Sequence, residues 1–171
     1  MRRRRLVVGV VVLAGLIVLV VAVRAWFGGG LVEAGGSAVC APRTSDGPVL
    51  VSAALVDNTR TVAARVEGVD LAGTSELERG DGLWAKRLDA ADGTSVGVSG
   101  EPAQLSGYTR VGPDGLVVDP GERWSLVVGV VSPPAGGRLA SFDVAWSRGP
   151  FEYVTRTGPA VTVVPVGAAC T

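Results

Sequence analysis

The stretch Arg123-Trp124-Ser125-Leu126-Val127-Val128-Gly129-Val130-Val131-Ser132 decides the fold. Trp124, Leu126, Val128 and Val130 fall on alternate positions, which puts them on one face of an extended strand. Val127 and Val131 occupy the other face. A strand apolar on both faces belongs in the middle of a covered sheet. Arg138 to Ser147 repeats the alternation, with Ala140, Phe142, Val144 and Trp146 inward against Ser141, Asp143 and Ala145.

Working outward, Val49 to Val56 is apolar on both faces until Asp57-Asn58. In Thr61 to Val69, Val62, Ala64 and Val66 point one way and Arg65 and Glu67 the other. Leu83 to Leu88, Ser95 to Ser99 and Leu116 to Val118 are weaker strands. Phe151 to Arg156 and Ala160 to Val164 complete a meander. Between them lie turn formers with identifiable roles. Ala91-Asp92-Gly93 and Pro113-Asp114-Gly115 supply a glycine for positive φ. Asp119-Pro120-Gly121 sets Pro and Gly at the two central turn positions, and Ser147-Arg148-Gly149-Pro150 reverses the chain. No stretch from Pro48 onward has a 3.6-residue period. The expected architecture is all-β: seven to nine strands in two antiparallel sheets, an immunoglobulin-like sandwich, with a small β-barrel as the alternative.

The N-terminus differs in kind. Residues 1–5 carry Arg2, Arg3, Arg4 and Arg5, and an apolar run begins at Leu6. Residues 6–27 suffice for a helix across a bilayer core of about 30 Å. Arg24 can extend to the interface, and Trp26 and Phe27 suit the headgroup level. The positive-inside rule then leaves residues 1–5 as a cytoplasmic tail and places the rest outside. A cleaved signal peptide has a shorter apolar core and a small-residue site, whereas Val23-Arg24-Ala25 contains an arginine. Gly-rich residues 28–47 read as a flexible stalk, leaving 48–171 as one extracytoplasmic domain. Gly9 and Gly15 do not make a Gly-x-x-x-Gly pair, so the helix signals no self-pairing.

The chain of 171 residues balances 16 basic against 16 acidic residues. Setting aside the five arginines up to Arg24 leaves 11 basic against 16 acidic, a net charge near −5. That argues against nucleic acid or anionic lipid as a partner of the domain. Fifteen arginines to one lysine, with abundant Ala, Val and Gly, is the composition of a GC-rich and most simply bacterial genome. The two cysteines, Cys40 and Cys170, bracket the folded region. Outside the cytoplasm such a pair is expected to be a disulfide, and the spacing is not that of a redox Cys-x-x-Cys.

Most chemistry is disfavoured. There is no histidine, and Met1 is the sole methionine. Ser-His-Asp and Cys-His machinery and the usual zinc and copper ligand sets are therefore missing. Gly93-Thr94-Ser95-Val96-Gly97 matches a nucleophile elbow, but that motif needs a strand-to-helix turn and a histidine partner. Asp89 with Asp92, or Asp114 and Asp119 with Glu122, could offer loop oxygens to calcium, without any supporting spacing. No catalytic residue, cofactor or metal is expected. Trp124 and Trp146 are read as core. Trp84, with Tyr108, is the candidate for a ligand-facing aromatic pair.

A single N-terminal anchor, a stalk and a β-sandwich resemble the plan of small bacterial single-pass envelope proteins with an immunoglobulin-like ectodomain. The likeness rests on two features. Val49 to Thr59 followed by Val62 to Val69 forms a first hairpin with an Asn turn. Asp119-Pro120-Gly121-Glu122 leads into the strand from Trp124 to Val131. The resemblance implies fold and location and carries no site residues. The expected role is a non-catalytic, membrane-tethered interaction or scaffold domain for an envelope protein partner. The alternative is a carbohydrate-binding module for cell-wall or surface glycan.

Overall fold

The computed structural model describes residues 14–23, 27–33, 38–43, 47–89, 98–99 and 105–170. Eleven strand segments form two sheets. In chain order they are β1 (Ala38–Pro42), β2 (Val49–Asp57), β3 (Ala64–Ser75), β4 (Glu78–Leu88), β5 (Val98–Ser99), β6 (Thr109–Arg110), β7 (Leu116–Val118), β8 (Arg123–Val131), β9 (Gly137–Arg148), β10 (Phe151–Thr157) and β11 (Ala160–Val164). One sheet runs β5-β2-β8-β4-β6, and the other runs β1-β11-β9-β3-β7 with β10 also on β9.

The two strands that decide the fold hold the two centres. β8 is bordered by β2 and β4. β9 is bordered by β3 on one side, and by β10 and β11 end to end on the other. β10 and β11 are thus one long course interrupted at Gly158-Pro159. Gly158 has φ 91°, and a Cβ there would stand 2.4 Å from the Ala53 carbonyl oxygen and 2.6 Å from the Phe142 ring. Only glycine lets the chain pass this close to β2.

The core lies between the sheets. Val51, Leu126, Val128 and Val130 from one meet Val66, Val69, Leu139, Phe142, Val144 and Trp146 from the other. Each buried side chain of this size contributes about 1.5–3 kcal/mol relative to an exposed one. Trp146 is buried as expected, and Trp124 packs against the core from its margin. Leu50 and Val127 are also buried, so β2 and β8 are covered on both faces.

Two expectations change. Successive strands do not form a meander: β2, β3, β4, β7, β8 and β9 alternate between the sheets, so hydrogen-bonded neighbours are far apart in sequence. Residues 31–33 and 38–43 of the expected stalk pack against the domain. Leu31 and Val32 are buried, Val32 bridges Val56, and Glu33 N–H and Leu31 C=O bond to Leu55 and Asp57 of β2. β1 then joins the opposite sheet, parallel to β11. Leu31, Val32 and Ala41 are apolar residues of a mostly small-residue stretch, and their burial moves the start of the folded region before residue 48. Cys40 and Cys170 form a disulfide, which fastens the residues after β11 to β1.

Residues 14–23 are helical, and Leu16 to Val21 are all exposed. Among the described residues no helix is long and apolar enough to cross a membrane. Much of the expected span, with Arg2 to Arg5 and Trp26, lies outside the described residues, as does the Gly93 to Gly97 motif.

Candidate functional site

The densest polar construction lies where the domain meets residues 27–29. In β9 the inward parity that buries Phe142, Val144 and Trp146 continues to Arg148, which is 1% exposed. Its Nη2 donates to Asn58 Oδ1 at 2.9 Å, and its Nη1 donates to the Phe27 carbonyl at 2.9 Å and the Gly29 carbonyl at 3.4 Å. The guanidinium carbon lies 5.2 Å from the centre of the Trp146 ring. Trp146 in turn stacks on Tyr153 at 4.3 Å and donates its indole N–H to Thr155 Oγ1.

Asn58 is wholly buried and holds three segments together. Its Nδ2 donates to the carbonyls of Val62 and Val118, and its Oδ1 also accepts from Arg60 N–H. Its backbone pairs with Gly121 and Glu122. Among the described residues no carboxylate pairs with Arg148: oxygen dipoles and an aromatic face surround the cation. Burial pushes its pKa down, nearby Arg60 pushes the same way, and Tyr153 opposes them. Arg148 Nε and Tyr153 Oη are buried without a hydrogen-bond partner among the described residues. The β9–β10 turn completes the contact, with the Phe27 ring 5.6 Å from Phe151. Arg123 adds weaker ion pairs to Glu33 and Asp57 at 3.5 Å.

The Asp119-Pro120-Gly121-Glu122 turn closes as expected, with Glu122 N–H on the Asp119 carbonyl and Gly121 at φ 80°. Glu122 then folds back. Its Oε2 accepts from Asp119 N–H and Trp124 Nε1, each at 3.0 Å, and its Oε1 pairs with Arg87 at 3.0 Å. Burial works to raise its pKa, and the Trp124, Asp119 and Arg87 contacts outweigh it, leaving the carboxyl below its ordinary value. Both oxygens are thus engaged by donors. Among the described residues no group of three or more His, Cys, Asp or Glu is arranged to hold a metal ion.

Trp84 and Tyr108 fall on one face of the β8-centred sheet. Trp84 stands across from Val127, and Tyr108 Oη donates to Ser125 Oγ at 3.0 Å. Both are partly buried, and the Trp84 ring folds over Gly82. The sequence reading missed Asn58 and Arg148. For Arg148 the signal is the alternation that makes it the next inward position after Trp146, although Ser147-Arg148-Gly149-Pro150 also reads as a turn. For Asn58 no local signal distinguished a buried hub from a turn residue.

No protein-family model and no curated protein sequence matches the chain. Among solved structures it is similar to the ASH / PapD-like domain of human CEP192 (PapD-like domain 7), at 15% identity and TM-score 0.37 over 81% of this chain and 87% of that one. That likeness is too distant to bear on the site.

Proposed function

We propose that the chain is a non-catalytic, membrane-tethered interaction domain: an immunoglobulin-like sandwich on the outer side of a bacterial membrane that engages an envelope protein partner. The observation that carries this reading is the Arg148 contact with Phe27 and Gly29, because it ties the domain directly to the chain that follows the apolar helix. A domain held at its base presents its free surfaces at a defined height, which suits a scaffold. The disulfide suits an oxidising compartment. The helical residues 14–23, apolar on every side and exposed, suit a lipid environment. The absence of histidine leaves little for acid–base or nucleophilic chemistry.

Chemical cross-linking of the full-length protein in its own membranes, followed by purification and mass spectrometry, tests the proposal. One reproducible envelope protein, lost when Arg148→Met loosens the base, supports it. Recovery of glycan alone refutes it. The second reading, glycan binding, draws on Trp84 and Tyr108 sharing a sheet face. It requires that Trp84→Ala abolish retention on cell-wall polysaccharide.

A further inference from the structure

We propose that two copies of this chain pair through the outer edges of β10, antiparallel, about a two-fold axis at Val154. β10 bonds to β9 along one side, and no described strand borders its other side. An uncovered edge of this kind presents unpaired N–H and C=O groups. Which residues present them follows from the turn. Gly149, at φ 57°, and Pro150 make a two-residue hairpin loop, so Arg148 and Phe151 form its closing pair. Alternation then directs the backbone of Phe151, Tyr153 and Thr155 to β9, and that of Glu152, Val154 and Arg156 outward.

The side chains on those three outward positions are also the exposed ones, with Val154 69% exposed. They read acidic, apolar, basic. Antiparallel pairing centred on Val154 sets Glu152 opposite the second copy's Arg156, Val154 opposite Val154, and Arg156 opposite Glu152, and closes about six backbone hydrogen bonds. Centring on residue 152 or 156 would oppose like charges, so the charges select one register. Glu152 faces Ser147 within its own sheet and makes no ion pair among the described residues. Arg156 already holds Asp143 at 2.8 and 3.0 Å. In the pair it would lie between two carboxylates.

The segment also lacks the usual edge protection. Phe151–Thr157 contains no lysine, proline or bulge. Other uncovered runs are interrupted: β3 beyond β7 by a bulge between Val66 and Gly68 and by Gly73 at φ 65°, and β4 before β6 by an irregularity between Arg79 and Leu83. β1 is backed by the disulfide-linked tail. This self-pairing goes beyond the proposed function and does not require the envelope partner.

The test uses full-length chains bearing two different tags, in detergent micelles, read by co-purification and by protein mass from sedimentation. Wild type is expected to be dimeric. Glu152→Arg and Arg156→Glu should each weaken pairing at least tenfold. An equal mixture of the two variants should form mixed dimers, because every cation again faces a carboxylate. A fold defect in either variant cannot produce that rescue. A wild-type monomer, a dimer indifferent to both substitutions, or no rescue on mixing overturns the pairing. None of these results touches the envelope-partner reading, which is tested by cross-linking.

Discussion

Arg148 and Asn58, ninety residues apart, meet inside the protein with Nη2 2.9 Å from Oδ1. Neither has a carboxylate in the arrangement, and each is buried. Asn58 is satisfied by the carbonyls of Val62 and Val118 and by Arg148 together, so the three contacts form one unit.

Breaking that unit from either side should be costly. Arg148→Ala leaves Asn58 Oδ1 and the Phe27 and Gly29 carbonyls without this donor, and Asn58→Ala strands the guanidinium. Each is expected to lose about 2–4 kcal/mol, since unsatisfied buried groups cost more than a hydrogen bond adds. Because the two share partners, the double variant should lose less than the sum, as chemical denaturation of all four proteins would show.

The disulfide predicts a second loss. Cys40 and Cys170 are 130 residues apart, and the chain-entropy estimate for closing such a loop is about 5 kcal/mol, less where the reduced chain keeps structure. Cys40→Ser and Cys170→Ser should each lower the melting temperature. Dithiothreitol should bring wild type down to the same value and leave both variants unmoved.

Acid should weaken the domain through two carboxylates. Asp143 is held below its ordinary range chiefly by the Arg156 hydrogen bond, against some burial, and Glu122 is depressed as described above. On acidification the unfolded chain takes up protons at the ordinary carboxylate values first. The stability these groups supply is therefore whole above those values, declines as pH falls through them, and is gone below the folded values. With no histidine to titrate, the urea midpoint should change little from pH 8 to 6 and fall below about pH 4.5. Glu122→Gln and Asp143→Asn should each flatten that acid limb.

Gly158→Ala tests the crossing between β10 and β11. A Cβ at φ 91° would collide with the Ala53 carbonyl. The expected cost is at least about 2 kcal/mol in the denaturation midpoint, from left-handed strain and a backbone clash together. Gly167→Ala, at φ 81° with open space around it, should bear the strain alone and cost less.

β8 and β9 were legible because a two-residue period in Val, Leu and Phe specifies both extension and the buried face. The Asp119-Pro120-Gly121 turn was legible because Pro and Gly each permit few alternatives. Sheet assignment was not, since nothing in β3 or β7 states which sheet a strand joins. β1 was hidden by its short length and by the glycines before it. The candidate site was least legible. Asn58 and Arg148 become partners only through the packing of strands distant in sequence, and Trp84 and Tyr108 are marked in the sequence only by aromatic type and a weak strand setting.

Among the described strands β1 pairs with β11 alone. Residues 38–42 are therefore made well before their mates, 160–164. At about 5–20 residues per second, synthesis separates the two by on the order of ten seconds. For that interval the leading strand has no place in its sheet, and that edge of the domain closes only when residues 160–164 arrive. Whatever holds the emerging chain must shield Val39 and Ala41 until then, and a ribosome that stalls before residue 160 leaves β1 with nothing to fold against.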